Sequence, residues 1–198
     1  MNIARIVKSN SHVDYVARVI DSLDVEQPPR AEDYGFGQFV ALPQTDETEV
    51  IGVIYNSELI NPEYGGFGPR LSPKPDASRF TPDYLNEQGT LLGILLLGFR
   101  DRKTGVVHQT MPRRVIPVNQ EVERMEDEAV LGFHRTENGE AQLHYYSQII
   151  DHAGVFSVPL LEAIIAQLML HCSEAEQNRL NVLQQSLVWQ RTMGGMRL

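Results

Sequence analysis

The chain has 198 residues, 42% of them hydrophobic and 22% charged, with a formal net charge of −9. That length suits one large domain, or a domain of about 120 residues with a smaller appendage, and the composition is globular rather than disordered. The acidic balance argues against broad nucleic-acid binding, and a single cysteine, Cys172, excludes an intramolecular disulfide and points to a reducing, cytoplasmic setting.

Residues 1–10 lack the apolar core of a signal peptide. The most apolar run, Leu91 to Phe99, falls well short of the ~20 residues a membrane helix needs. From Val13 to Ile20, Val13, Tyr15, Ala17 and Val19 share one face opposite Asp14 and Arg18, the period of two of a half-exposed strand. Ile3 to Val7 is a shorter strand before it. Phe39 to Leu42 and Val50 to Tyr55 are apolar on both faces and suit buried strands, with Gly37 and Gly52 placed for a tight bend or a bulge. Thr90 to Phe99 fits strand or buried helix by periodicity. Gly89, Gly93 and Gly98 decide for strand, since each would cost a helix ~1 kcal/mol. Val106 to Thr110 and Arg113 to Val118 complete six or seven short strands, which implies a sandwich or, with its edges closed, a barrel.

Residues 61–84 interrupt this rhythm with Pro62, Pro69, Pro73, Pro75, Pro82 and the run Gly65-Gly66-Phe67-Gly68. Proline cannot donate to a ladder, so this is a long irregular loop. Its aromatics Tyr64, Phe67, Phe80 and Tyr84 mark it either as a packed loop or as a partner-binding one. The last third is helical. A short helix is expected within 125–134, and 142–150 reads as strand or helix. Leu160, Leu161, Ile164, Ile165 and Leu168 form an apolar helical stripe after the start signals Ser157 and Pro159. Ser173 and Glu176 have the spacing of a capping box opening a second helix, ended by Gly194 and Gly195. Leu180, Leu183 and Leu187 line one face of that helix, while Val182 and Trp189 lie on a neighbouring one and are read as partner-binding. The fold class is therefore mainly β plus α, a small barrel over 1–125 followed by a helical hairpin within 126–198.

No catalytic, cofactor-binding or metal-binding residue is assigned. A P-loop needs lysine directly after its last glycine, and none of the 15 glycines has one there. Gly35-Phe36-Gly37 lacks the third glycine of a dinucleotide fingerprint and reads as a turn. No two histidines stand at zinc-binding helical spacing, and His171 and Cys172 are neighbours that a helix would point apart. Cys172 reads as a buried thiol closing its helix stripe. Arg113-Arg114 reads as a solvated strand end, and Asp101 to Gly105 as a charged hairpin turn. A pairing of His144 or His152 with Asp151, near His134, has the residue types of a general base but no nucleophile motif.

In order, Ala4-Arg5-Ile6-Val7, Tyr15-Val16-Ala17-Arg18-Val19, Tyr34 to Val40, Ile51-Gly52-Val53-Ile54, Leu92-Gly93-Ile94-Leu95 and Met111 to Val122 resemble the HAS barrel. That barrel is the N-terminal module of HerA-type DNA-translocating ATPases and is akin to the F-type ATP synthase barrel. Gly37-Gln38-Phe39-Val40 stands where that family often has a GDYV-like strand, and Pro117 to Val122 stands near its PGxxV-like turn into the last strand. The long loop and the lack of a following ATPase domain are departures, so no hydrolytic residue carries over. The resemblance implies a non-catalytic interaction or assembly role, as an adaptor for a motor or nuclease partner or in a homo-oligomer; run length and net charge, separately, argue for no membrane and no direct nucleic-acid contact. The alternatives are an enzyme using His134, His144, Asp151 and His152, and a small-ligand carrier in the barrel mouth.

Overall fold

The computed structural model describes residues 1–44, 47–61, 89–136 and 138–194, with side chains of the last helix as far as Leu187. Seven strands are present: β1 (Asn2–Ser9), β2 (Asp14–Val19), β3 (Phe39–Pro43), β4 (Thr48–Ile60), β5 (Gly89–Asp101), β6 (Val107–His108) and β7 (Glu121–Arg124). Four helices follow: α1 (Asp127–Phe133), α2 (Tyr146–His152), α3 (Ser157–Met169) and α4 (Glu174–Gly194). The strand order is β2-β1-β7-β3-β4-β5, with β5 returning to pair β2. Every pairing is antiparallel, so six strands close a barrel, and β6 lies outside the ring on β5. No helix among the described residues is long and apolar enough to cross a membrane.

The period-two face of β2 is where the alternation places it. Val13, Tyr15, Ala17 and Val19 are buried, while Asp14 and Arg18 are half-exposed. Gly37 adopts a left-handed φ of +82° and donates its N–H to the Ile54 carbonyl at 2.8 Å, the bend that turns the chain into β3. Gly52 sits at a register shift between β4 and β5, a bulge as expected. A Cβ there would come within 2.8 Å of Ile94 Cγ2 and 3.0 Å of the Leu95 carbonyl.

Three expectations need correction. Arg113 to Val118 is not a strand: Pro112 and Pro117 withhold donors, and the Ile116 N–H donates instead to the Tyr15 hydroxyl of β2 at 3.2 Å. The strand that completes the ring is β7, entered through a turn with Asn119 at φ +64°. β4 and β5 are not short. Each runs 13 residues, because Asn56, Ser57 and Glu58 extend the ladder as a polar ribbon that an apolar pattern does not register. Cys172 lies past the end of α3, half-buried in the turn before α4, and burial raises its thiol pKa.

The helices share one apolar core with the barrel, from Ile3 and Leu92 to Leu160, Ile164 and Leu187. Two glutamines fasten them. The Gln109 amide is buried; it donates to the carbonyls of Phe133 (2.9 Å) and Gln142 (3.3 Å), and its oxygen accepts the His144 N–H at 2.7 Å. Gln148 of α2 donates to the Leu96 carbonyl of β5. At the end of β4, buried Glu49 faces its cross-strand partner Arg100 and also accepts from Arg102 at 3.1 Å, so its charge is compensated twice. At α4 the capping residues meet: Glu176 accepts the Ser173 N–H at 2.8 Å and pairs with Arg135 at 2.5 Å.

Candidate functional site

Among the described residues, the buried polar or charged side chains are Glu49, Gln109 and His134. His134 closes α1. Its Nδ1–H donates to the Val130 carbonyl at 2.7 Å, which leaves Nε2 to accept the Tyr145 hydroxyl at 2.5 Å. Edge-on contacts with Phe39 at 5.0 Å and Phe133 at 5.2 Å complete an aromatic box. Burial chiefly lowers the imidazole pKa to about 4; the Val130 bond opposes this and the Arg135 charge adds to it. The Tyr145 hydroxyl is pushed well above its ordinary value by the same burial. Both ring nitrogens are engaged, so this histidine has no spare valence for a substrate.

His134 stands apart from the other residues of the His/Asp reading. His134 is 1% exposed, whereas His144, Asp151 and His152 are on the exterior. His12 donates to the Pro112 carbonyl at 2.7 Å and His108 stacks on Phe99 at 4.7 Å. Among the described residues no group of three His, Cys, Asp or Glu side chains is placed to hold a metal. Tyr15, Phe39 and Leu92, which would have to leave room for a barrel ligand, are all buried in the core.

What stands out is the ribbon. β3 leaves β4 at the pairing of Phe39 with Val53, and beyond it Ile54 still exchanges two backbone bonds across that edge, its N–H to the Gln38 carbonyl at 2.9 Å and its carbonyl from the Gly37 N–H at 2.8 Å. β4 continues to Ile60, and among the described residues it is paired there only on its other side, with β5. A bulge between Ile54 and Asn56 marks the point where the ribbon departs from the barrel. Beside this free edge lies a groove of about 320 Å³ lined by Tyr34, Phe36, Ile54, Asn56, Ser57 and Leu59, among others. Leu59 is 81% exposed and Phe36 48%. Phe36 meets Phe156 edge-on at 6.1 Å, and Val155 beside it is 86% exposed, so the apolar surface continues to the start of α3. At the ribbon's root, the Tyr55 hydroxyl donates to Asp14 at 2.9 Å; burial and that carboxylate raise its pKa.

Of the residues read from sequence as partner-binding, Tyr64, Phe67, Phe80 and Tyr84 lie outside the described residues, as does the side chain of Trp189. Val182 is exposed on α4, opposite the buried Leu180 and Leu187. Phe36, Leu59, Val155 and Phe156 were not singled out. The signal for Phe36 was present, a large aromatic between two glycines of a turn, where a solvated turn has no use for it.

The profile of the family described as Domain of unknown function (DUF8166) matches residues 1–197, and the chain belongs to that family. No curated protein matches the chain at a significant level.

Proposed function

We propose that this member of the DUF8166 family is a non-catalytic protein-interaction module, an adaptor of HAS-barrel type for a motor or nuclease partner, working in the cytoplasm. The observation that carries the reading is the apolar surface that Leu59, Phe36, Phe156 and Val155 present beside a strand edge that no described residue pairs. Exposed apolar surface of this kind, rimmed by polar residues, marks contact sites. The turn over Pro117 to Gln120 into β7 is in keeping with the HAS resemblance, since the family pattern has its turn into the last strand there. We read α3 and α4 as a hairpin whose outer face, including Val182, is a second contact surface.

Affinity purification of the full chain from its own cells, paired with sedimentation of the pure protein, tests the reading. A stoichiometric protein partner, or a defined homo-oligomer, is expected. A strict monomer that brings down no partner, with an activity abolished by His144→Ala or His152→Ala, would replace it with the enzyme reading.

A further inference from the structure

Building on that interaction reading, we propose that the outer edge of β4 from Asn56 to Ile60 is a strand-acceptor site for an extended, basic segment of a protein partner. The main-chain groups come first. Over these residues β4 is paired with β5 through Ser57–Leu92, Glu58–Leu91, Leu59–Thr90 and Ile60–Gly89, and nothing among the described residues pairs its opposite side. Five residues at ~3.4 Å each give an edge of ~17 Å, the length of an ordinary strand. Alternate N–H and C=O groups along it match the spacing of an added strand.

The groove fixes which side chains such a strand would carry. The exposed side chains of Leu59 and Phe36 line one side of the approach, so alternate residues of the incoming segment face an apolar wall. Charge fixes the rest. Residues 30–36 and 55–60, which flank the groove, contain Glu32, Asp33 and Glu58 against one cation, Arg30, so acid outweighs base there. Asp33 accepts the Arg30 N–H at 2.8 Å, while Glu32 and Glu58 are exposed. Edge strands are ordinarily guarded by lysine, proline or a bulge across the edge. Here the bulge lies before Asn56, and the one charge on the open edge is Glu58. Pairing this edge with a second copy of the chain would set acidic side chains against each other, which disfavours a homodimer. A lysine- or arginine-bearing strand meets the opposite condition.

The test uses the full chain and three end-blocked seven-residue peptides that alternate valine with lysine, threonine or glutamate, read by amide hydrogen exchange. The lysine peptide is expected to slow exchange at Asn56–Ile60 and to bind at least ~10-fold tighter than the glutamate peptide, since like-charge juxtaposition across an interface is strongly disfavoured. N-methylation of alternate amides in the lysine peptide should abolish binding in one register and spare it in the other, because only every second amide faces the acceptor. Glu58→Lys, an exposed substitution, should shrink the lysine-over-glutamate preference several-fold. Unchanged exchange at Asn56–Ile60 with millimolar lysine peptide, equal binding of the lysine and glutamate peptides, or tolerance of both methylation patterns would overturn the site. So would concentration-dependent protection of these amides without peptide, which assigns the edge to a second copy. A chain that captures a native protein partner yet fails these peptide tests loses this site and keeps the adaptor reading. One with no partner in its own cells loses the adaptor reading however the peptides behave.

Discussion

Acidification should draw stability out of the fold through His134, starting near pH 6.5. The imidazole is held neutral between the Val130 carbonyl and the Tyr145 hydroxyl, and burial, the largest influence, depresses its pKa from 6.5 to about 4. Between those values the unfolded chain binds a proton that the folded chain refuses, so stability is full above 6.5 and falls as pH drops toward 4. A shift of this size corresponds to about 3 kcal/mol at the lower limit, a large part of the ~5–15 kcal/mol that holds a domain together. Protonation puts a hydrogen on Nε2, where the Tyr145 hydroxyl already points its own, so one of the two must turn away inside a closed aromatic box. Urea unfolding at pH 7, 6 and 5 should show a midpoint that falls with pH, in parallel with NMR titration of the ring. In His134→Gln the amide can hold both partners without titrating, and the slope between pH 6.5 and 5 should flatten. An imidazole that titrates near 6.5, or a slope that survives in His134→Gln, would refute the reasoning.

Gln109→Leu keeps the volume but strips three bonds. One leaves the buried Phe133 carbonyl unsatisfied, so a loss of about 2–5 kcal/mol in urea unfolding is expected; a loss under ~0.5 kcal/mol would mean that water replaces the amide. The Glu176 carboxyl is held down at about 2, chiefly by the Ser173 N–H and hydroxyl, then the Ala141 N–H, with Arg135 contributing. Its contribution is present above about 4.5 and lost as pH falls toward 2, so the stability gap between wild type and Glu176→Gln should narrow from pH 6 to pH 3. A Cβ on Gly98 would stand 2.2 Å from the His108 carbonyl, so Gly98→Ala should expel β6 and cost about 1–3 kcal/mol, seen as faster amide exchange at Val107 and His108. Leu168→Ala, in a core shared by helices and barrel, should cost about 2–5 kcal/mol in the same unfolding assay.

The parts of the fold legible in sequence are those where burial imposes a period. β2 alternates because one face is core, and α3 carries its stripe because Leu160, Ile164 and Leu168 must meet the barrel. Glycine content told strand from helix in β5, and the structure adds why Gly98 has to be glycine: β6 comes too close for a side chain. What burial does not dictate was not legible. The far part of β4 begins with Asn56, Ser57 and Glu58, a polar break after which Leu59 and Ile60 are too short a run to register as strand. Arg113 to Val118 has strand composition but is flanked by Pro112 and Pro117, and the ring-closing role passed to Glu121–Arg124, whose one buried residue is Val122. His134 was drawn into a reactive cluster by residue type alone; its distance from solvent, which decides the matter, is a property of packing.

Hydrogen-bonding capacity ties these observations together. A site that acts on a ligand needs donors or acceptors with valence to spare, at a surface the ligand can reach. The three buried polar side chains have none: Glu49 is taken by Arg100 and Arg102, Gln109 by three backbone groups, and His134 by Val130 and Tyr145. Arg135, the best-placed cation of the helical end, is divided among Glu176 and the carbonyls of Gly139 and His171. Spare valence instead runs along the main chain of β4 past the bulge, next to Leu59 and Phe36, whose exposure adds nothing to the stability of the barrel. Groups that leave their own fold's core unserved are the ones that a second chain can use, and a strand edge restricts that second chain to an extended one.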